Sequence, residues 1–552
     1  MTNPPHGPSQ GPGTEWVAPP GGVTAVAGQR PMYGQPVFPP RVPGKVERAI
    51  AGWARPARAM PPRIGLGLAV AGVIGAVTLG PSLYGGGRFG IGILIAAVAI
   101  AYVAGASAWS AGRLTRPASA KRRGWSRLNR TGVVFLVLAV CLAGTAALRD
   151  APWVVVPALL LSVAAGSYGA SGGRSWTEVL GGGVAVVPAG VLMLPWLGRG
   201  AHRALPSRRG NAWPVVRTGL IAAGLLAVFG ALFGGADAAF SNLASGLVPD
   251  VSPETVVTYT LTGGVTVLFA GAGAFLGHAP PPLRTLAPPP ARPAGRWSWA
   301  VPIAALDLLF LAFCTVQAGV FLADDKDEFL RSTGLTYAEY ARQGFFQLVV
   351  VTALALAVVA VATRYAPSAG RGDRGTVRAL LGLLCALTLV VVAVALRRLY
   401  LYEETFGWTR LRLWVHAFEL WLGAVIALVA VAGVLKGRVA WLPRAVAVSG
   451  AVAMLALALV NPDRFIAEHN VARYEHTGKI DVWYLSRLSA DAVPALDRLD
   501  GAPRSCALRD MASWLDDDDP AMSANLGRAR AREILDRRPP DRTVDCTNPS
   551  RR

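Results

Sequence analysis

Long apolar runs that recur at short intervals are the feature that most limits how this chain can fold. From Ile64 onward, runs of about the 17 to 25 residues that a helix needs to cross a bilayer follow one another. Only 16% of the residues are charged and 53% are hydrophobic, with a mean hydropathy of +0.41. Since a segment in lipid must satisfy its own backbone hydrogen bonds, we predict an all-α, polytopic transmembrane helix bundle. Eleven spans are predicted, at 64–80, 89–110, 132–148, 151–169, 218–235, 256–276, 298–322, 345–363, 379–396, 413–435 and 445–460.

A twelfth apolar run, VLGGGVAVVPAGVLMLPWL at 179–197, is not typical of an unbroken membrane-spanning helix. Three consecutive glycines, Pro188 and Pro195 argue against an unbroken helix. If the run crossed the membrane, Arg199 and the arginines after it would lie outside, and every later loop would change sides. We therefore predict that this run is re-entrant or lies along the inner surface.

The charges of the loops predict the orientation of the bundle. The loop 111–130 contains seven Arg or Lys residues, which places it in the cytoplasm by the positive-inside rule. With eleven crossings, the acidic stretch ADDKDE at 323–328 falls outside and the basic stretch 436–444 falls inside. We predict a plasma-membrane protein with its N-terminus in the cytoplasm and its C-terminus outside. One loop, 400–410, fits poorly, because it is placed outside although arginines flank it at 397, 398, 410 and 412.

The chain divides into four predicted segments. Residues 1–60 form a Pro/Gly-rich, disordered tail, 61–214 the first membrane helices, 215–460 the main bundle, and 461–552 a small soluble helical module. The module has 15 Arg or Lys and 16 Asp or Glu, and it contains Cys506 and Cys546. In an oxidising compartment these two cysteines could form a disulfide, although two free thiols remain the alternative.

A few polar side chains interrupt the predicted spans. Asp307 lies near the middle of one span, with Gln317 ten residues later. Arg412, His416 and Glu419 follow one another at i, i+4 and i+7, so all three project within an arc of about 60° on one helix face. Because a charge in hydrocarbon costs at least about 2.5 to 3.5 kcal/mol, these groups should face other helices or water.

Three uses compete for the stripe formed by Arg412, His416 and Glu419. In the first, Arg412 or His416 pairs with Glu419 and ties the helix to a neighbour. In the second, His416 and Glu419 line a path for a proton or a substrate together with Asp307. In the third, His416 and Glu419 ligate a metal ion, but no second pair of this kind appears in the sequence.

Four ordered motifs resemble a known family. They are LDLLFLAFCTVQ, GLTYAEYARQGFFQLVVV, LYEETFGWTRLRLWVHAFELWLG and NPDRFIAEHNVARYEHTGKIDVWYLSRLSADAVPAL. Together they are similar to the bacterial integral-membrane proteins grouped as domain of unknown function 4173, close to group 4153, over about residues 215–535. The family has no established reaction or substrate, so the resemblance implies no residue roles. It implies only that the following belong to characteristic motifs: Asp307, Tyr337, Tyr340, Arg410, Arg412, Asn461 and Asn470.

No established chemical motif stands out from the sequence. It contains no phosphate-binding GxxxxGK[ST], no HExxH and no CxxC, so we predict no catalytic residues, no cofactor and no metal. The arginines lie between apolar runs and not along one soluble face, which argues against nucleic-acid binding. We expect a non-enzymatic sensor or assembly factor of the cell envelope, with the lipid bilayer and a protein at the C-terminal module as partners. The alternatives are a transporter or ion-coupled permease and, with less support, a membrane-embedded enzyme.

Overall fold

A computed structural model provides the structure of the protein. It describes residues 44–56, 60–84, 88–114, 130–204, 253–289, 291–322, 345–367, 370–434, 439–516 and 519–546, with isolated helical positions between 218 and 233. Within these ranges the protein is helical throughout and contains no strand. The predicted all-α fold is therefore confirmed.

Eighteen α-helices are described, and ten of them are long and apolar. The helices that precede the C-terminal module are α1 (Lys45–Ala54), α2 (Pro62–Tyr84), α3 (Ile91–Leu114), α4 (Arg130–Leu148), α5 (Pro152–Ser171), α6 (Trp176–Val184), α7 (Val186–Ala204), α8 (Pro253–His278), α9 (Arg296–Leu322), α10 (Phe345–Tyr365), α11 (Arg371–Phe406), α12 (Arg410–Val434) and α13 (Leu442–Val460). The helices of the module are α14 (Pro462–Thr477), α15 (Val482–Leu485), α16 (Val493–Leu496), α17 (Gly501–Leu515) and α18 (Leu526–Arg537).

Ten of these helices are long and apolar enough to cross a membrane, namely α2 to α5 and α8 to α13. Large apolar side chains such as Leu66, Leu160 and Leu308 remain exposed on their outer faces, which is what lipid requires. Ten of the eleven predicted spans are thus confirmed. The remaining one, 218–235, lies outside the continuously described residues.

The helices share two ends, which we call the basic end and the module end. At the basic end, Trp53 of α1 donates to the Ala279 carbonyl at 2.8 Å. There also, the Ala294 amide donates to the Tyr365 carbonyl at 3.0 Å, between α9 and α10. The module end is the opposite one, where the C-terminal module packs. Since α1 occupies 45–54, the region predicted as a disordered tail contains a helix, and residues 1–43 lie outside the described ranges.

Helices α6 and α7 cover the twelfth apolar run and are bent by 63° relative to each other. The pair begins at the basic end, where Glu178 of α6 accepts from Arg284 at 2.7 Å. It also finishes there, because Gly200 of α7 lies against Met60, just before α2. The Ser167 hydroxyl donates to the Gly182 carbonyl at 2.5 Å and accepts from the Val186 amide at 3.0 Å, which satisfies the broken backbone.

The ends of the α6–α7 pair fit the predicted re-entrant segment. Gly200 lies at the basic end, whereas α8 starts at the module end, where its Tyr259 packs on Gly80 near the end of α2. The described ends that flank the predicted span at 218–235 therefore lie at opposite ends of the bundle.

The C-terminal module packs directly on the bundle. Helix α13 ends at Val460 and α14 begins at Pro462, with Asn461 between them at a φ of 59°. One continuous apolar core joins bundle residues such as Leu142 and Val154 to module residues such as Ile466. Cys506 of α17 and Cys546 form a disulfide that fastens the end of the described chain to the module.

Candidate functional site at the junction of bundle and module

The Asp463 carboxylate is the centre of the junction on one side. It lies in the first turn of α14 and is fully buried. The Arg410 guanidinium donates to both of its oxygens, at 3.0 and 2.6 Å, in a bidentate pair. The Trp153 indole and the Ser489 amide also donate to it, at 2.9 and 2.8 Å. Asp463 thereby joins α5, α12 and two parts of the module through a fully hydrogen-bonded charge.

Arg528 of α18 is the corresponding centre on the other side of the junction. It is 1% exposed, and it donates to Asp150 at 2.6 Å and to Asp519 at 2.8 Å. A further donor reaches the Phe89 carbonyl at 2.9 Å, in the loop between α2 and α3. Burial alone would raise the pKa of Asp519, but hydrogen bonds from Arg532 and Arg528 lower it below its ordinary value. Arg528 thus connects the module to the α2–α3 and α4–α5 loops.

Asp491 is a further buried carboxylate of the junction and is bonded differently. It is 2% exposed, and its Oδ2 atom accepts from the Asp150 amide at 2.7 Å and from the Ser489 hydroxyl at 3.4 Å. Its Oδ1 atom has no hydrogen-bond partner in the described part of the chain. Burial raises the pKa of Asp491 to about 6, and the nearby charges of Asp150 and Asp463 act in the same direction.

An aromatic cluster lies where α11 turns into α12. His416 Nδ1 and Glu403 Oε1 are 3.1 Å apart, and the Trp408 ring stacks on the His416 ring with centroids 5.6 Å apart. Asn470 of the module accepts from the Trp408 amide and donates to the Trp408 carbonyl. The turn requires Gly407, because its φ is 81° and a Cβ there would lie 2.3 Å from Asn470 Oδ1.

The structure separates the three residues of the predicted stripe. Glu419 is buried and accepts from the Thr352 hydroxyl of α10 at 3.0 Å, so the predicted pairing with Arg412 or His416 is not formed. Arg412 instead lies over the Tyr402 ring at 4.2 Å. Arg412 and Glu419 are about 10 Å apart along the helix axis and so meet different neighbours, and His416, one turn from Glu419, contacts Glu403 of α11 instead.

The two polar residues of α9 are also kept apart. Gln317 accepts from Arg398 of α11 at 3.2 Å, near the module end. Asp307 is 3% exposed, and neither of its carboxylate oxygens has a hydrogen-bond partner among the described residues. The Oε2 atom of Glu419 likewise has no hydrogen-bond partner among the described residues. Asp307 and Glu419 are therefore incompletely hydrogen-bonded carboxylates within predicted spans.

The arginines that flank the loop 400–410, which fitted the predicted orientation poorly, have partners in the structure. Arg410 is neutralised by Asp463, and Arg398 contacts Gln317. Glu403, near the same arginines in sequence, hydrogen-bonds His416. A positive charge at the module end is thus matched by a carboxylate that the module itself supplies.

The sequence did not single out Asp463, Asp491 or Arg528, because charged residues in a polar module look like solvated surface groups. A weak signal did exist for the first, since Asp463 follows an Asn-Pro pair that starts a helix directly after a span. Among the motif residues named by resemblance, Arg410 and Asn470 do reach the junction. Tyr337 and Tyr340 lie outside the described residues.

Across the described ranges, no group of three His, Cys, Asp or Glu side chains is placed to hold a metal ion. The spacing GxSxG occurs in GASGG at 169–173, but Ser171 ends helix α5 there, and its hydroxyl donates to the Tyr168 carbonyl at 3.4 Å. It does not stand on the strand-to-helix turn that a nucleophile elbow requires.

The family described as Domain of unknown function (DUF4153) matches residues 136–499, which is 364 of the 552 residues. The chain belongs to this family. The first-named group, 4173, was wrong; the four motifs lie inside the DUF4153 match, which starts earlier and ends earlier than 215–535. The match includes Asp150, Asp463 and Asp491 but not Arg528. No curated protein and no solved structure matches the chain.

Proposed function

We propose that this DUF4153 protein is a non-enzymatic sensor or assembly factor of the bacterial cell envelope, in which the C-terminal module receives the signal or the partner. The observation that carries the proposal is the buried polar junction. Through Asp463 and Arg528 the module holds the α2–α3 loop, the α4–α5 loop and the start of α12. A displacement of the module would therefore act on five membrane helices at once.

The polar contacts at the junction also favour a module that docks reversibly on the bundle. The free energy needed to remove water from an ion pair offsets much of the attraction between its charges. Apolar contacts would therefore stabilise a permanent joint at least as well. Buried charges do, however, define one docked arrangement, because every misplacement leaves a charge without its partner. A module held by Arg410–Asp463 and Arg528–Asp150 pairs is consequently docked in one position or released.

The orientation proposed for the protein is N-terminus in the cytoplasm and C-terminal module outside, in the plasma membrane. The described side chains of the basic end carry many more positive than negative charges, as the positive-inside rule requires of the cytoplasmic side. Those positive residues are Arg48, Arg55, Arg63, Arg130, Arg174, Arg199, Arg284, Arg292, Arg296, Arg364, Arg371, Arg374, Arg378 and Arg444, against Glu47, Glu178 and Asp373. The Cys506–Cys546 disulfide suits an oxidising compartment at the other end.

The orientation can be tested with reporters fused after Arg552, which leaves the junction intact. A phosphatase that is active only outside the cytoplasm should be active in this fusion, and a fluorescent protein that folds only inside should be dark. The opposite pair of results would overturn the orientation.

The sensing or assembly function can be tested by releasing the module. We expect crosslinking in intact cells to capture a defined envelope protein with the wild type and to lose it with Arg410→Gln, which removes the bidentate donor to Asp463. Arg464→Gln is the matched control, because Arg464 is exposed and pairs with Glu468 on the same helix. Capture that is unchanged by Arg410→Gln would contradict a role for docking.

A second candidate function, ion-coupled transport, is favoured by one observation. Asp307 is buried in a predicted span, with both of its oxygens lacking a hydrogen-bond partner in the described region. Buried carboxylates within spans often belong to ion or proton pathways. Proton flux in liposomes that is abolished by Asp307→Asn, at unchanged abundance of folded protein, would favour transport over sensing.

A further inference from the structure

We propose that α1 is a lipid-binding helix, which lies on the membrane surface at the basic end and takes anionic phospholipid headgroups as its ligand. The proposal goes beyond the function proposed above and does not rest on it, because α1 and the C-terminal module are at opposite ends of the bundle. In the proposed orientation, the leaflet that α1 contacts is the cytoplasmic one.

The contacts of α1 place it at the level where the spans end. The Trp53 indole donates at 2.8 Å to the carbonyl of Ala279, the residue that follows the last residue of span α8. The Trp53 ring also packs on Phe275 of α8, with centroids 6.0 Å apart. After α1, the chain passes through Met60, which is buried in the bundle, and enters span α2 at Pro62. Helix α1 therefore lies between the ends of two spans, beside the membrane surface.

The side chains of α1 divide into an apolar face and a polar face. At 100° per residue, Val46, Ile50 and Trp53 project within an arc of about 60°, and Arg48 projects on the opposite side. Trp53 is half-buried against the bundle, so its contacts show which way the apolar face points. Ile50 and Val46 lie one and two turns before Trp53 and are 45% and 38% exposed. The face that the bundle covers at Trp53 is thus uncovered along the rest of the helix.

Lipid is the neighbour that fits this uncovered face. A short helix with an apolar face that includes tryptophan, and with arginine on the other face, is typical of helices that lie in the membrane interface. The 3₁₀ helix Leu283–Leu286 packs beside α1, and its Leu286 is exposed as well. Val46, Ile50 and Leu286 therefore continue the lipid-facing surface of the spans into the interface.

The charge around α1 favours anionic headgroups over zwitterionic ones. Residues 45–63 contain five Lys or Arg and one Glu. Among them, Arg48, Arg55 and Arg63 are exposed. Each basic residue close to an anionic membrane surface changes the binding constant by about fivefold. A zwitterionic headgroup has no net charge, so such a lipid would bind the apolar face without this contribution.

The test is hydrogen–deuterium exchange of the full-length protein in nanodiscs with one protein per disc. One set of discs contains phosphatidylcholine alone, and the other contains equal parts of phosphatidylcholine and phosphatidylglycerol. Peptides within 45–56 should exchange more slowly in the anionic discs. Arg48→Gln should lower this protection about fivefold in the anionic discs and leave it unchanged in phosphatidylcholine. Arg464→Gln, at the module end, should preserve the wild-type difference between the two lipids.

Ile50→Ser tests the apolar face and should lower the protection of α1 in both kinds of disc. Ala51→Ser is the matched control, because it places the same residue on the exposed polar face of the same helix and should change neither. Equal protection of wild-type α1 in the two lipids would overturn the proposal, and so would equal effects of Ile50→Ser and Ala51→Ser.

Other occupants of the face give different results. Protection that appears only with two proteins per disc would assign the apolar face to a second copy of the chain and would also overturn the proposal. Neither the C-terminal module nor the side of the membrane enters the measurement. A failure would therefore leave the proposed function and the proposed orientation untouched.

Discussion

Two regions of this protein bury carboxylates and, with the exception of Asp491 at the junction, the two regions bond them in opposite ways. At the junction, Asp463 and Asp519 are surrounded by arginines and amides. Within the spans, Glu419 has one hydroxyl donor and Asp307 has no donor among the described residues. The difference arises because loop backbones offer free amides and long arginines can reach the junction from water, whereas the amides within a span are already used by the helix. Stability at the junction should thus depend on charge, and stability of the spans should not.

The largest effect is expected from Arg528→Ala, which leaves Asp150 and Asp519 buried without this donor. Breaking a buried ion pair in this way should cost about 3 to 5 kcal/mol of module stability. Urea unfolding followed by the fluorescence of Trp514 would measure it. Arg537→Ala is the control, since Arg537 forms an exposed i,i+4 pair with Glu533 and should cost under about 1 kcal/mol. Equal effects of the two changes would contradict the importance of the junction.

The disulfide should rank next. Cys506 and Cys546 are 40 residues apart, and a crosslink of that span stabilises by about 3 to 4 kcal/mol in the chain-entropy model. Replacing both by serine should lower the unfolding midpoint of the module and leave the spans helical by circular dichroism. Serine at Cys141, which is exposed on α4, should change neither. An unchanged midpoint in the double variant would show that the C-terminal end contributes no stability.

A smaller loss is expected from Asp463→Asn. The amide keeps the shape of the side chain but gives up the charge that Arg410 meets with two donors, and a hydrogen bond to a charged group is worth about 1.5 to 3 kcal/mol. Titration with denaturant in nanodiscs would measure it. The double variant with Arg410→Gln should lose less than the sum of the two single losses, because both changes remove the same pair. Strict additivity would mean that the two side chains act independently.

The smallest effect should come from Asp307→Asn, a change to a carboxylate within a span and not at the junction. Asp307 has no hydrogen bond to lose in the described region, so the neutral isostere should change thermal stability by no more than about 1 kcal/mol, or raise it. The measurement is the melting temperature in detergent and in nanodiscs. A loss as large as that of Asp463→Asn would show that Asp307 is bonded to a group outside the described residues.

Much of the fold could be predicted because it depends on local properties. Ten spans follow from run length and composition alone, and charges near the run at 179–197 already argued against a crossing there. The structure places both ends of α6–α7 at the basic end, with Ser167 completing the broken backbone. The four ordered motifs likewise lie inside the DUF4153 match, but the start of that match at residue 136 was not predicted from them.

The partners of the polar residues could not be predicted in the same way. The stripe of Arg412, His416 and Glu419 was recognised, yet Arg412 and His416 meet α11 whereas Glu419 meets α10, because the neighbouring helices decide what lies opposite each turn. Asp463 and Asp491 lie 28 residues apart in similar polar sequence, and one receives an arginine while the other does not. Hydrophobic length and loop charge act locally, so the helical membrane fold and the polar C-terminal module could be read from the sequence. The pairing of the buried charges depends on the tertiary structure, because a hydrogen bond joins groups that are distant in sequence and within about 3 Å in space.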